Sequence, residues 1–144
     1  MTPVGRPPGT ALRVLSWAAV GAMLVACQAQ APERQEGSPA VVQLTQNDNG
    51  RPTTIEVGQT LAIDLDENAS TGYTWAIDGY DENILESLGS TPRYSSGPVG
   101  SGGQVTFTFR GVADGTGQIR LKNWREWEGD SSVVDRFQTS VTVK

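Results

Sequence analysis

Strict alternation of apolar and polar side chains is the feature that most constrains what this chain can fold into. In the segment QVTFTFR, residues 104–110, the side chains of Val105, Phe107 and Phe109 fall on one face. Successive side chains of a β-strand point to opposite faces, so a period of two residues predicts a strand that is buried on one side. Further strand-like segments lie at 41–45, 54–57, 60–65, 73–77 and 117–123, and residues 133–134 and 137–143 close the domain. No long amphipathic helix is visible, so we predict an all-β domain.

The spacing of the predicted strands indicates the architecture. About seven short strands, separated by turn-forming Gly, Asn, Asp and Ser residues, are typical of an immunoglobulin-like β-sandwich. The chain has one cysteine, so the paired cysteines of antibody-type domains are absent. The sequence does not decide the structure of two segments. Residues 82–88 fit either a short helical turn or a strand, and Gly58-Gln59 fits either a hairpin turn or a bend within a strand.

The N-terminal segment has the pattern of an export signal. Arg6 and Arg13 accompany an apolar run, residues 14–26, that is too short to span a bilayer comfortably. The run ends in the letters LVAC at 24–27, which resemble the lipobox of bacterial lipoprotein signals. That resemblance implies cleavage before Cys27 and acylation of Cys27. The alternatives are an ordinary cleaved signal and an uncleaved anchor with a buried cysteine.

We therefore divide the chain into three parts. Residues 1–26 are predicted to be a lipoprotein signal peptide. Residues 27–39 comprise the lipidated Cys27 and a linker whose Gln, Glu, Ser and Pro content is typical of a flexible tether. Residues 40–144 are predicted to form the β-sandwich domain. Several acyl chains would hold this domain at the cell envelope, on the periplasmic face or at the outer membrane.

The chain has no histidine, and this excludes much catalytic chemistry. A Ser-His-Asp or Cys-His site lacks its base, and a zinc site of the His/Cys type lacks its ligands. The net charge of −5 becomes more negative when Arg6 and Arg13 leave with the signal peptide. Such acidity argues against nucleic acid as a partner, because phosphate binding depends on clustered Lys and Arg. We predict no enzyme activity, no catalytic residues, no metal and no cofactor.

The connection at 67–75, ENASTGYTW, has an unusual composition for a link between two strands. Gly72 allows a positive φ, and Asn68, Ser70 and Thr71 can hydrogen-bond their own backbone. A loop held in one shape in this way loses little entropy on docking, so it is suited to recognition. A well-capped turn without a partner is the alternative.

A second connection, residues 95–103, is rich in glycine: SSGPVGSGG. Glycine lets another chain come very close, because no Cβ intervenes. No lysine follows the glycines and no helix start is visible, so the segment is not a phosphate-binding P-loop. The alternative is a flexible hairpin connection.

A third connection, residues 123–130 (NWREWEGD), contains Trp124 and Trp127, two of the four tryptophans of the chain. Exposed aromatic surface marks contact sites, and Trp and Arg dominate interface hot spots. We expect one of these two tryptophans, and not both, to fold back into the core. Glu126 and Glu128 are interpreted as solvated charge rather than as the acid pair of a glycosidase.

Together these segments resemble the three loop motifs of the chagasin family of cysteine-peptidase inhibitors. The family forms are roughly N-P-T-T-G-Y/F, G-x-G-G and R-P-W/F-E, and the matching residues here are 68–73, 100–103 and 125–128. Order, approximate spacing and strand context agree from about residue 41 to residue 144. Ala69 and Glu126 depart from the family pattern, since both stand where proline is usual. We expect the missing prolines to loosen the first and third loops.

The resemblance implies an immunoglobulin-like domain that binds a papain-like cysteine peptidase reversibly and blocks its active-site cleft with three loops. Ser70, Thr71 and Gly72 would approach the catalytic cysteine of the peptidase. Residues 100–103 would pair main chain along one side of the cleft, and Arg125 and Trp127 would lie along the other. The peptidase-binding residues that the resemblance implies are Asn68, Ser70, Thr71, Gly72, Tyr73, Gly100, Gly102, Gly103, Arg125 and Trp127.

Two other functions stay open from the residues alone. One is an envelope lipoprotein that binds carbohydrate through Trp124 and Trp127, and the other is an envelope lipoprotein whose loops contact another surface protein. Both are non-enzymatic. The sequence carries no signal for an oligomer, and we expect a monomer.

Overall fold

The computed structural model describes residues 40–98 and 100–144. The predicted signal peptide, Cys27 and the linker up to residue 39 lie outside the described residues. In the described part, the helical turns are four short 3-10 turns, and the rest of the regular structure is β. The strands, in chain order, are β1 (Val42–Thr45), β2 (Thr53–Ile55), β3 (Thr60–Glu67), β4 (Thr74–Tyr80), β5 (Leu85–Tyr94), β6 (Gly103–Gly111), β7 (Gly115–Trp124) and β8 (Asp135–Val143).

The strands form two four-stranded sheets, in the orders β1-β3-β6-β5 and β2-β8-β7-β4. Both sheets are mixed, because β1 pairs parallel with β3 and β2 pairs parallel with β8, while the other pairs are antiparallel. The predicted all-β, immunoglobulin-like sandwich is confirmed. Eight strands within the described residues replace the expected number of about seven.

The core lies between the sheets and is filled by the side chains that the alternation predicted to face inward. Val105, Phe107 and Phe109 are all buried, and their neighbours along β6 are not. Burying one such side chain fully contributes about 1.5–3 kcal/mol. The largest fully buried side chains are Phe109, Phe137, Ile55, Leu61, Ile63, Leu65, Leu85, Ile119, Leu121, Val141 and Val143.

The structure resolves the two segments that the sequence left open. Residues 85–94 form the edge strand β5, preceded by a turn in which Leu85 N–H donates to the Asp81 carbonyl at 3.0 Å. Gly58-Gln59 does not turn a hairpin, because β2 and β3 belong to different sheets. Gly58, with φ of 87°, instead lets the chain cross from one sheet to the other.

Backbone hydrogen bonds close the end of the sandwich where this crossing lies. Gly58 N–H donates to the Gly111 carbonyl at 2.8 Å, and Gly111 N–H donates to the Gln59 carbonyl at 3.1 Å. Val57 N–H donates to the carbonyl of Lys144 at 3.0 Å, which holds the C-terminus at the same place. We call this the closed end of the domain.

Across residues 40–98 and 100–144, no helix has the length and apolar character needed to cross a membrane. The same residues contain no cluster of Cys, Asp and Glu side chains that could hold a metal ion.

Candidate functional site

The three unusual connections meet at the end of the sandwich opposite the closed end. Loop 1 (residues 68–73) joins β3 to β4, loop 2 (residues 95–102) joins β5 to β6, and loop 3 (residues 125–134) joins β7 to β8. The strand register places them together, since Glu67 pairs with Gly103 and Thr74 pairs with Trp124. We call this the loop end.

Loop 1 is wound into one 3-10 turn over Ala69–Thr71 and leaves it through Gly72, whose φ is 82°. The Asn68 carbonyl accepts hydrogen bonds from the Thr71 N–H at 3.1 Å and the Thr71 hydroxyl at 2.7 Å. The Ser70 hydroxyl donates to Oδ1 of Asn68 at 2.5 Å. The turn therefore closes through the side chains of Asn68, Ser70 and Thr71, with Ala69 in the place where the family has proline. Ser70 and Thr71 form its exposed tip.

Gly100 and Gly102 of loop 2 and Gly103 at the start of β6 have three different surroundings. Gly100 has φ of 98° and open space around it. A Cβ on Gly103 would overlap the Tyr94 ring and lie 2.8 Å from the Arg93 carbonyl, so glycine is required there by the packing of β5 on β6. A Cβ on Gly102 would meet one atom in ordinary contact, the Glu67 carbonyl oxygen at 3.8 Å. The domain itself therefore does not require glycine at position 102.

Loop 3 consists of two consecutive 3-10 turns, Glu126–Glu128 and Asp130–Ser132, which meet at Gly129 with φ of 71°. Ser132 is buried and ties the loop together. Its hydroxyl oxygen accepts a hydrogen bond from the Arg125 N–H at 3.0 Å. The same hydroxyl lies 3.0 Å from the Arg125 carbonyl oxygen and 2.6 Å from the Gly129 carbonyl oxygen. The loop is thus closed at its base although Glu126 replaces the usual proline.

Arg125 links loop 3 to loop 1. Its Nη2 donates to the Thr71 carbonyl at 3.2 Å, and its Nη1 pairs with the Glu128 carboxylate at 3.0 Å. The guanidinium carbon also lies 4.4 Å from the centroid of the Tyr73 ring, a cation–π contact. Both terminal nitrogens of the Arg125 guanidinium therefore have a partner inside the domain, and the bond to Thr71 holds loop 3 against loop 1.

Trp127 is the most exposed large apolar side chain of the described residues, at 70%. The edge of its indole ring lies over Gly72, where a Cβ would overlap Cη2 of the ring and lie 3.0 Å from Cζ2. Glycine is therefore required at position 72 for two reasons. Loop 1 has a positive φ there, and the Trp127 ring occupies the space that a side chain would take. Loops 1 and 2 are joined as well, since Nδ2 of Asn68 lies 3.5 Å from the Gly100 carbonyl.

Trp124 differs from Trp127 in its surroundings. It is half-buried outside the core, and the ammonium of Lys122 lies 3.7 Å from the centroid of its ring. The expectation that one of the two folds into the core is therefore wrong, because a cation covers Trp124 instead. Lys122 also pairs with Asp130 at 2.6 Å. This hydrogen bond and charge lower the pKa of Asp130, and the bond to Asp130 raises the pKa of Lys122.

The buried carboxylate of Glu67 lies beneath loop 1 and was not predicted from the sequence. It accepts hydrogen bonds from the Trp75 N–H at 2.7 Å and the Tyr94 hydroxyl at 2.5 Å. The bond to Glu67 raises the pKa of the Tyr94 hydroxyl, and burial adds to the shift. The sequence contained a signal for this burial, because Glu67 follows Leu65 by two residues and so continues the inward-facing positions of Leu61, Ile63 and Leu65.

Comparison with known proteins assigns the family. The sequence profile described as Chagasin family peptidase inhibitor I42 matches residues 54–141. The chain belongs to the chagasin family. It is 31% identical to chagasin of Trypanosoma cruzi over 99 residues, which cover 65% of this chain and 90% of chagasin. It is 32% identical to amoebiasin-1 of Entamoeba histolytica over 104 residues, which cover 70% of this chain and 98% of that protein.

A solved structure supports the same assignment. The crystal structure of the cysteine protease inhibitor EhICP2 from Entamoeba histolytica superposes with a TM-score of 0.64 at 25% identity, covering 75% of this chain and 99% of that one. Members of the chagasin family are peptidase inhibitors, so the predictions of an inhibitor and of a chain without enzyme activity are confirmed. The alternative functions through exposed tryptophans receive no support from these relatives.

Proposed function

We propose that the domain of residues 40–144 inhibits papain-like cysteine peptidases by filling their active-site cleft with loops 1, 2 and 3. The observation that carries this proposal is the joining of three loops, distant in sequence, into one surface. Asn68 bonds to Gly100, Arg125 bonds to Thr71, and Trp127 rests on Gly72. Such a surface fits an interface of standard size, about 1,600 Å² in total.

The conformation of loop 1 explains how it would resist cleavage. Hydrolysis needs a carbonyl carbon at near-attack distance, with its oxygen directed at the oxyanion donors of the peptidase. In loop 1 the carbonyls of Asn68, Ala69 and Thr71 already accept hydrogen bonds from within the domain. With three of its carbonyls engaged in this way, loop 1 can occupy the cleft while offering few carbonyls to the catalytic cysteine.

Loops 2 and 3 would supply affinity on either side of loop 1. Gly102 is exposed, and nothing within the domain fills the space where its side chain would be, so a peptidase backbone can approach there. Trp127 offers a large apolar ring whose position is fixed by its contact with Gly72. An aromatic ring held in place before binding loses little entropy on docking, which is a property of hot-spot residues.

Titration of residues 28–144 against papain tests the proposal. We expect reversible inhibition, and equal binding to papain whose catalytic cysteine has been blocked with a small reagent, because the mechanism needs no chemistry from the peptidase. A serine peptidase such as trypsin is the control and should stay active. Absence of papain inhibition at micromolar concentrations of the domain would contradict the proposal.

We also propose that Cys27 carries a lipid anchor that holds the inhibitor at the cell envelope. The support is the sequence pattern at residues 24–27. Metabolic labelling with a fatty acid in a bacterial host should label the wild-type chain, and Cys27→Ala should abolish the label and release the protein from the membrane fraction. Equal labelling of both chains would contradict the anchor.

A further inference from the structure

The connection between β3 and β4 raises a structural problem at the loop end. The two strands are consecutive in the chain but lie in different sheets, so no ladder of backbone hydrogen bonds fixes their separation. No ladder of backbone hydrogen bonds joins β4 to β5 either, because they are edge strands of different sheets. A loop end built on such strands needs side chains to set the distance between the sheets.

Glu67, the last residue of β3, meets this need. Its side chain faces inward and the residue is 5% exposed. One carboxylate oxygen accepts the N–H of Trp75 in β4, directly after loop 1, and the other accepts the hydroxyl of Tyr94 at the end of β5, directly before loop 2. One buried group thus connects three strands, two sheets and the bases of two loops.

The energetics of burial indicate that this carboxylate has a specific role. Taking a carboxylate out of water is costly unless its oxygens are hydrogen-bonded. No ion pair among the described residues includes Glu67, so its two hydrogen bonds must offset the cost. An apolar residue would fit the pattern of Leu61, Ile63 and Leu65 without that penalty, but could not receive either donor.

We propose that Glu67 is the positioning residue of the inhibitory surface, fixing loop 1 relative to loop 2 through Trp75 and Tyr94. This inference rests on the proposed function, in which loops 1 and 2 bind a peptidase together. Two neighbouring contacts support it. The indole N–H of Trp75 donates to the Asp66 carbonyl at 2.9 Å, and the Glu67 carbonyl lies close to Gly102 of loop 2.

A comparison of Glu67→Ala with Glu67→Gln distinguishes the positioning role of the Glu67 hydrogen bonds from an effect of its negative charge alone. Alanine leaves the Trp75 N–H and the Tyr94 hydroxyl without their acceptor, so we expect the inhibition constant for papain to rise about tenfold or more. Glutamine keeps an acceptor for the Trp75 N–H, and its amide group can donate to the Tyr94 oxygen. Glu67→Gln should therefore restore inhibition to within about threefold of wild type.

Tyr94→Phe is the second variant, because Glu67→Ala could unfold the domain. Tyr94 is 52% exposed, so its ring packing changes little, but loss of the hydroxyl removes one of the two hydrogen bonds of the buried Glu67 carboxylate. The melting temperature should therefore fall modestly with the domain still folded, while the inhibition constant rises severalfold. Asp64→Ala is the matched control. Asp64 also lies on β3 and accepts a hydroxyl, that of Thr106, but the two residues are already paired in a backbone ladder. We expect this control to leave inhibition unchanged.

Hydrogen exchange of backbone amides gives a readout that does not depend on any peptidase. In Tyr94→Phe and folded Glu67→Ala, the amides of Thr71, Gly72 and Ser101 should exchange faster, while those of Gly58 and Gly111 at the closed end should not. If wild type fails to inhibit papain, the proposed function fails and the exchange data alone decide the role of Glu67. Unchanged exchange and inhibition in Tyr94→Phe and Glu67→Ala, or an equal effect of Asp64→Ala, would overturn the inference.

Discussion

The two ends of this sandwich differ in how far side chains hold them together. At the closed end, backbone groups bond to backbone groups across the sheets, as in the reciprocal contacts of Gly58, Gln59 and Gly111, and the Gln59 side chain adds bonds to the backbone of Glu56 and Ala40. At the loop end, particular side chains take part: the carboxylate of Glu67, the guanidinium of Arg125 and the hydroxyl of Ser132. The comparison teaches that substitutions at the closed end should affect stability alone, whereas substitutions at the loop end should also change the shape of the binding surface.

Trp127→Ala should have the largest effect on peptidase binding. It also distinguishes most clearly between an effect on binding and an effect on stability. The side chain is 70% exposed, so its removal should change the free energy of unfolding little. Under the proposed function it should weaken papain inhibition by about 2 kcal/mol or more, roughly thirtyfold. Inhibition constants and urea unfolding of both proteins provide the measurement. An unchanged inhibition constant would show that Trp127 does not contact the peptidase.

Gly103→Ala should give the largest loss of stability at the loop end. A Cβ there would overlap the Tyr94 ring and press on the Arg93 carbonyl, so β5 and β6 would have to move apart. Overpacking of this kind costs about 1–3 kcal/mol, measurable as a shift of the urea midpoint.

Gly102→Ala is the matched control for Gly103→Ala, since its Cβ would meet no atom closer than 3.8 Å. It should leave the urea midpoint unchanged and weaken inhibition, because the added methyl group separates loop 2 from the peptidase backbone. Loss of stability in Gly102→Ala, or none in Gly103→Ala, would contradict the different roles assigned to these two glycines.

The sequence predicted the parts of the fold that depend on alternation, and the reason is physical. Val105, Phe107 and Phe109 face a core, so a period of two residues is enforced. Along the edge strand β5, most residues are exposed, and the register shifts between Ser87 and Gly89, so no period was available. The parallel pairing of β1 with β3 and of β2 with β8 joins distant segments and leaves no local signal.

Prediction of the site was uneven for a similar reason. The loop residues were found because the motif letters of loops 1, 2 and 3 are distinctive. Their mutual contacts, such as Trp127 on Gly72, depend on the sheet register and could not be inferred from spacing. Glu67 was missed because the predicted strand stopped at Leu65. Extending the alternation by two residues would have placed an acidic side chain in the core and identified it.

Gly72→Ala and Gly58→Ala test the comparison between the two ends with a matched pair. The two glycines have nearly the same φ, 82° and 87°, so alanine should cost about 1–2 kcal/mol of stability at either position. Their surroundings differ, since Gly58 has open space and Gly72 lies under Trp127. Gly72→Ala should therefore also displace the indole and weaken inhibition severalfold, while Gly58→Ala should not. Equal inhibition by both variants would remove the distinction between the ends.

The smallest expected effect is on the titration of Tyr94. The neutral hydroxyl donates to Glu67, whereas the ionised oxygen would face a carboxylate, so the pKa of Tyr94 is raised above its ordinary value of 10.0. The stabilisation from this hydrogen bond is therefore fully present below pH 10.0 and is lost as the pH rises through the raised value. The difference in phenolate absorbance between wild type and Tyr94→Phe measures this pKa.

Glu67→Gln provides the control for that titration. A neutral amide removes the negative charge and can donate to the ionised oxygen, so the pKa of Tyr94 should fall back toward 10.0. The closed end should not respond, and the exchange rates of the Gly58 and Gly111 amides should follow the same pH dependence in both proteins. A pKa of Tyr94 that is identical with glutamate and glutamine at position 67 would show that the two side chains do not interact in solution, and the loop end would then lack the connection between its sheets.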